Sequence, residues 1–376
     1  MFCEPFLTTK LFGSAAKGFV ITRKPDFFIV GAPKCGTTAM SQYLAGHPDI
    51  FVARKEMHHF GADLRFGEQF YRRGMDEYLA EFKAWGNQKR AGEASVWYLY
   101  SSKAAAEIKS FNPEARIIIM LRKPVEMLHS LYYSFLWDGN EHLPTFEEAL
   151  AAQEERRVGR NITRQTYFAQ GLMYREITRF TDQIKRYFDI FGRDRVHIII
   201  YDDIAADTAA VYRRVLDFLE VDSTHVQKDL RAVNTNKFVK SPALRAMLSD
   251  PMVRSVVLGI RPFLPGAIFR GMQKVDARIR RLNTRVAGRP PLSLDLRQEM
   301  NRWFAPEIER LSALIGRDLS HWDGTLGPES KINSPPSSPN SSNNPENPGR
   351  KDSVEKPGGR NARASLKEAD AVKVQS

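Results

Sequence analysis

A chain of 376 residues with 42% apolar side chains can bury a sizeable core, in one large domain or two small ones. Its formal net charge of +12 favours an anionic partner (a nucleotide, a nucleic acid, an acidic glycan or a membrane surface) without choosing among them. Two cysteines, Cys3 and Cys35, exclude a disulfide framework beyond one bridge and make a reducing compartment, the cytoplasm, the default.

From the N-terminus, Met1 to Val20 mixes Glu4, Lys10 and Lys17 with short apolar groups and lacks the continuous apolar core of a signal peptide. A lead segment is expected over 1–25, a main domain over 26–326 and a tail over 327–376. Asp26 to Gly31 (DFFIVG) predicts a short buried strand ending in a glycine-bearing turn, and Gly36 to Ala45 a helix. Helices are expected over Ser101–Phe111, Thr145–Arg157, Tyr174–Phe191 and Asp207–Leu219, and later over Ser241–Ser249 and Ser293–Leu314. Between them, RIIIML (116–121) and VHIIIY (196–201) read as buried strands, the first followed by a helix with Pro124 in its first turn. Continuous β-branched runs alternating with helices predict an α/β fold: a mainly parallel sheet covered on both faces, with ligands beyond the carboxyl ends of its strands. The apolar stretch Met252 to Phe269 carries Arg254 and Arg261 and is broken by Pro262 and Pro265, which argues against a spanning helix. The Pro-, Ser- and Asn-rich tail has no periodicity and is expected to be disordered.

Strand, then Gly31-Ala-Pro-Lys34-Cys35-Gly36-Thr37-Thr38, then helix, is the layout of a phosphate cradle, in which backbone N–H groups and a helix N-terminus face one anion. The glycine spacing is that of a Walker A loop, but Thr37 stands where its lysine belongs, and the lysine lies inside the loop as Lys34. Thr37 and Thr38 are candidates to cap the helix and to give hydroxyls to phosphate. Cys35, near a helix N-terminus and Lys34, is expected to favour its thiolate.

Pro33-Lys34-Cys35-Gly36-Thr37-Thr38 resembles the 5'-phosphosulfate loop of the sulfotransferase family. The family's second element is an Arg at a later strand end and a Ser eight residues on; Arg122 and Ser130, after RIIIML, match it. The resemblance implies a P-loop-like nucleotide fold, 3'-phosphoadenosine 5'-phosphosulfate (PAPS) as co-substrate without a metal, and the 3'-phosphate held by Arg122 and Ser130. Asn234 to Pro242, with Lys237, Lys240 and Ser241, resembles the basic loop that closes over the nucleotide in bacterial members, and Arg317 to Trp322 resembles their closing segment. Lys55-Glu56-Met57-His58-His59-Phe60 is similar to the Glu-x-His-Phe segment of glycosaminoglycan-type sulfotransferases, which implies Glu56 as general base with His58 in support. Lys34 would stabilise the leaving oxygen. Glu93 matches a further family carboxylate and is expected to position Lys34 by an ion pair or to act structurally. Ala94 and Thr38 stand where several heparan-sulfate enzymes have basic residues, which leaves the acceptor, a carbohydrate or other hydroxyl or amine compound, open.

Two other readings remain at this level. Tyr201-Asp202-Asp203 superficially resembles a Walker B ending, the mark of a P-loop kinase or ATPase. The basic stretch Arg270 to Arg289, with Arg278, Arg280, Arg281 and Arg285, would suit a protein that binds a membrane surface or nucleic acid without catalysis, although peripheral membrane contact is also compatible with an enzyme and nucleic acid is not the expected partner.

Overall fold

The computed structural model describes residues 23–67, 74–227, 230, 237–239, 271, 275, 278–279, 282–286 and 289–324. Five strands form one sheet: β1 (Phe27–Gly31), β2 (Ile50–Val52), β3 (Arg90–Ala94), β4 (Arg116–Leu121) and β5 (Val196–Ile200). Their order is β2-β3-β1-β4-β5, and each neighbouring pair is parallel. All of β1 is buried, and so is β4 apart from Arg116, so both strands are covered on both faces. That is why they read as unbroken apolar runs rather than as alternating ones.

The order of the strands places the functional edge. After β1 the chain turns through residues 32–36 into α1 (Thr37–Ala45) and on to β2. After β4 it passes Arg122 into α4 (Pro124–Asp138) and, through further helices, reaches β5 on the other side. The two connections leave adjacent strands in opposite directions, which opens a crevice beyond their carboxyl ends. The extension of β3 lies over the same edge: Ser95 N–H donates to the Ile29 carbonyl at 3.1 Å, and Leu99 N–H to that of Val30 at 2.8 Å.

Several helices depart from their expected bounds because side chains take backbone groups. The helix expected from Ser101 begins as α3 (Ala104–Phe111), since Ser101 Oγ accepts from the N–H groups of Lys103 and Ala104 as it donates to Asp63. The helix expected over 145–157 divides into α5 (Phe146–Ala151) and α6 (Gln153–Arg157), where the buried Gln153 amide takes the Leu150 carbonyl at 3.0 Å. The one expected over 174–191 divides into α7 (Tyr174–Ile177) and α8 (Phe180–Phe191), where Thr178 Oγ1 donates to the Arg175 carbonyl and Gln183 Nε2 to that of Ile177. Next come α9 (Tyr201–Ala206), so that Tyr201 opens a helix rather than closing β5, and α10 (Thr208–Phe218), capped by Asp207. A late helix, α11 (Leu294–Ile315), starts where expected, with Ser293 Oγ accepting from Leu296 N–H at 3.3 Å. The helix expected over Ser241–Ser249 and the tail from 327 lie outside the described residues.

An antiparallel ribbon, β6 (Lys237–Val239) with β7 (Thr284–Val286), runs beside α4. The far end of α4 is anchored by the buried carboxylate of Glu141. It accepts from Arg156 Nη2 at 2.6 Å, from the Tyr174 hydroxyl at 2.9 Å and from the His142 and Leu143 N–H groups. Both ionic side chains are wholly shielded, so removing one strands the other without a partner or water. Arg156→Ala should therefore cost about 3–5 kcal/mol, read as a lower denaturant midpoint, whereas replacing the exposed Arg157 should shift it little.

Candidate active site

The first loop is built around unusual backbone. Lys34 lies in the left-handed region at φ 64°, and Gly36, the residue before α1, at φ 89°. Glycine takes that conformation without the Cβ penalty, while Lys34 bears it, a common trait of residues held for function. The turn sends the Lys34 side chain toward α4, where Nζ donates to Ser134 Oγ at 3.5 Å. Burial, then the nearby Arg289, Lys55 and Arg122, lower its pKa to about 8 against the pull of Asp138.

Two expectations for this loop fail. Thr37 and Thr38 do not cap α1: the N-cap is Gly36, with no side-chain cap. Their hydroxyl oxygens instead accept hydrogen bonds from Lys55 Nζ, at 2.8 and 3.0 Å. Cys35 does not favour its thiolate. Its side chain is fully buried among apolar groups, with Sγ donating to the Pro33 carbonyl, and burial pushes the thiol up to about 12. The Cys35 side chain thus belongs to the core, and any role toward an anion falls to its backbone.

Across the crevice, Arg122 follows β4 with its guanidinium 4.6 Å from the Tyr201 ring centroid. Ser130 is buried on α4, about two helical turns further on. Arg289, at the end of the basic stretch, comes back to the same place: burial and then Arg122 hold its guanidinium below the usual arginine range. Among the described residues this side chain was missed as a site residue, because it closes a run that reads as a solvated helix face. The sequence Gly288-Arg289-Pro290-Pro291, in which glycine and prolines interrupt the run, was the available signal. Burial would raise the Glu126 carboxyl, but the Arg297 hydrogen bond at 2.7 Å, with Arg122 and His129 nearby, holds it down. Lys237 opens β6 alongside α4, while Lys240 and Ser241 lie outside the described residues.

Glu56 sits on the loop side of this crevice. Oε2 accepts from Val96 N–H at 2.9 Å, and Oε1 is 3.3 Å from Lys55 Nζ. His58 packs differently: its ring lies 4.3 Å from that of Phe66, and burial lowers its pKa although Glu56 pulls the other way. His59 stacks on Tyr78, so the adjacent histidines diverge.

Glu93 is not the partner of Lys34 that one expectation made it. Its carboxylate is wholly buried and accepts from Ser95 Oγ at 2.6 Å and from the Tyr98 hydroxyl at 3.0 Å. Each hydroxyl in turn accepts two backbone N–H groups: Met57 and His58 at Ser95, His59 and Phe60 at Tyr98. With their oxygens so engaged, both hydroxyls direct their protons at Glu93. Burial pushes this carboxyl up to about 8 although both donors favour the charged form. The strap 57–60, which begins next to Glu56, therefore hangs on one carboxylate. Glu93→Gln supplies an N–H where an acceptor is needed. It should cost about 1–3 kcal/mol in unfolding free energy and lower turnover while leaving nucleotide affinity unchanged in calorimetry.

Asp202 and Asp203 are engaged elsewhere. Asp202 accepts from Trp322 Nε1 at 2.6 Å and lies 3.0 Å from His321 Nε2, while Asp203 takes the Arg317 guanidinium in a forked pair. They tie the segment after α11 to the end of β5 and leave the loop without a Walker B acid from this position.

The profile of the Sulfotransferase family matches residues 25–225, which hold the five-stranded sheet and both sides of the crevice. The solved sulfotransferase from Alicyclobacillus acidocaldarius is 30% identical, with a TM-score of 0.58, over 80% of this chain and 99% of that one. Carbohydrate sulfotransferase 15 of Mus musculus is 26% identical over 54% of this chain and 45% of its own length. Membrane-associated sulfotransferase kil1 of Dictyostelium discoideum is 31% identical over 33% of this chain and 26% of its own length. The chain thus spans less than half of either curated relative, and among the described residues no helix is long and apolar enough to cross a membrane. On the profile match and the solved relative together, this chain belongs to the Sulfotransferase family.

Proposed function

We propose that the protein moves a sulfuryl group from PAPS to a hydroxyl or amine of a carbohydrate or glycoconjugate acceptor. The observation that carries this reading is the convergence of Lys34, Arg122 and Arg289, from three separate segments, on the crevice beyond β1 and β4. Burial and the neighbouring cations disfavour the charges of Lys34 and Arg289, and a polyanion placed among the three side chains would relieve both costs. The 3',5'-substituted nucleotide fits such a set. Lys34 and the N-terminus of α1 would take the 5'-phosphosulfate, and Arg122 and Ser130 the 3'-phosphate, with Lys237, Lys240 and Ser241 as closing contacts. A bidentate guanidinium suits a phosphate in a way that an ammonium does not.

In the proposed reaction Glu56 takes the acceptor proton as the acceptor oxygen or nitrogen attacks sulfur. The bond from sulfur to the 5'-phosphate oxygen breaks in line, and the charge left on that oxygen is met by Lys34 and backbone N–H groups. His58, neutral and packed on Phe66, supports the strap that carries Glu56 rather than moving a proton. The name of carbohydrate sulfotransferase 15 supports a glycan acceptor only as a class. The cysteine content supports a cytoplasmic enzyme, with the exposed Arg278 available to an anionic membrane surface. The kinase reading loses its acid because Asp202 and Asp203 hold the C-terminal segment.

Calorimetry with 3',5'-adenosine bisphosphate tests the nucleotide half. Binding should need no magnesium, should exceed that of ADP, and should lose that preference in Arg122→Ala. A bound anion favours the ammonium form of Lys34, which in the free protein loses its proton near pH 8. Binding should therefore take up a proton increasingly between about pH 7 and 9, and affinity should fall as pH rises through about 8. Equal affinity for ADP and the bisphosphate in the wild-type chain would overturn the reading.

The chemical half is tested with labelled PAPS and a panel of glycan and amine acceptors. Glu56→Gln should keep nucleotide affinity and lower single-turnover transfer roughly 10²–10⁴-fold. Transfer at the wild-type rate across the pH range would remove Glu56 as the base.

A further inference from the structure

Lys55 belongs neither to the phosphate loop nor to any role assigned above, yet it touches both halves of the site. It precedes Glu56 on the chain after β2, and its ammonium group reaches back to the first turn of α1. Two of its N–H groups donate to Thr37 Oγ1 and Thr38 Oγ1, and its charge lies 3.3 Å from Glu56 Oε1. The side chain is only 21% exposed, so these contacts are shielded from competing water.

We propose that Lys55 is the positioning residue that joins donor recognition to the base, by setting the direction of the Thr37 and Thr38 hydroxyls and holding the Glu56 carboxylate. This rests on the sulfotransferase reading. A hydroxyl that accepts from an ammonium keeps its own proton to give, and that proton turns away from the cation. Lys55 thus makes both threonines donors at the N-terminus of α1, the end that faces an anion. Its charge lowers the pKa of Lys34 as well. On the other side, Oε1 of Glu56 is held by Lys55 and Oε2 by Val96 N–H, so the carboxylate has one orientation relative to the loop. His58 and Glu93 also face Glu56 electrostatically. A donor seated on the threonines and an acceptor facing Glu56 are thereby set from a single nitrogen, as in-line transfer requires.

The threonines face the 5' side of the nucleotide, which allows a test that general destabilisation cannot imitate. Lys55→Met should weaken binding of 3',5'-adenosine bisphosphate about 10–100-fold, the loss of charge-assisted hydrogen bonding. It should leave adenosine 3'-monophosphate, which has no 5'-phosphate, within about twofold in competition calorimetry. Single-turnover transfer at saturating PAPS should fall as well, and Lys55→Arg, which keeps the cation, should recover part of both losses. Lys55→Gln, one atom shorter and uncharged but still carrying an N–H donor group, carries the same comparison should Lys55→Met not fold. Equal losses for the two nucleotides, or bisphosphate affinity within about twofold of wild type, would overturn the proposal. Failure of the wild-type chain to bind the bisphosphate would instead overturn the sulfotransferase reading beneath it.

Discussion

The site is organised by a cost. Lys34, Arg122 and Arg289 are gathered into one half-buried place, where burial and Arg122 disfavour the charges of both Lys34 and Arg289. Cations withdrawn from water in this way are unfavourable unless an anion joins them, so the arrangement is stable at the expense of the surrounding fold. The fold supplies that support from elements that are themselves rigid. β1 and β4 are the covered central strands, and α4 is held at its far end by the Glu141 cluster. Neither cationic side of the crevice can retreat without disturbing a packed strand or a satisfied buried carboxylate.

Carboxylates do different work according to depth. Glu141 and Glu93 are both buried, but Glu141 has an arginine and Glu93 has two hydroxyls. The arginine pairs with one of them just beyond the end of a helix. Burial pushes the other up toward neutrality against its two hydroxyl donors, which make it a hanger for four backbone N–H groups. Glu56 is shallower than either, partly open and held by one N–H and one ammonium. A proposed base needs that combination of fixed orientation and access.

Much of the scaffold was legible in the chain. DFFIVG, RIIIML and VHIIIY announced parallel strands because strands covered on both faces carry no polar alternation. The glycine spacing of 31–36 suggested an anion loop, and the sulfotransferase resemblance suggested Arg122 and Ser130 as its counterpart; β1 and β4, which lead to the two, lie side by side in the sheet. Helix ends were less legible. Gln153, Thr178 and Ser101 break or delay helices through side-chain bonds to backbone groups, and periodicity does not register such bonds.

The sequence by itself determined three parallel strands, β1, β4 and β5, and the position of Lys34 within its loop, since each depends on residues close together in the chain; β2 and β3, which lack a long β-branched run, came only with the tertiary structure. Tertiary structure alone decided what the polar side chains do. Thr37 and Thr38 looked like caps and became acceptors for Lys55, whose reach back to α1 spans β2. Cys35 looked activated by its helix and its lysine, but packing on every side keeps the thiol protonated. Glu93 looked like a partner for Lys34 and is consumed by Ser95 and Tyr98, and Arg289 looked like surface charge and is folded inward. Charge, hydrogen bonding and burial are properties of neighbours in space, and for these residues the decisive neighbours lie beyond the reach of local pattern.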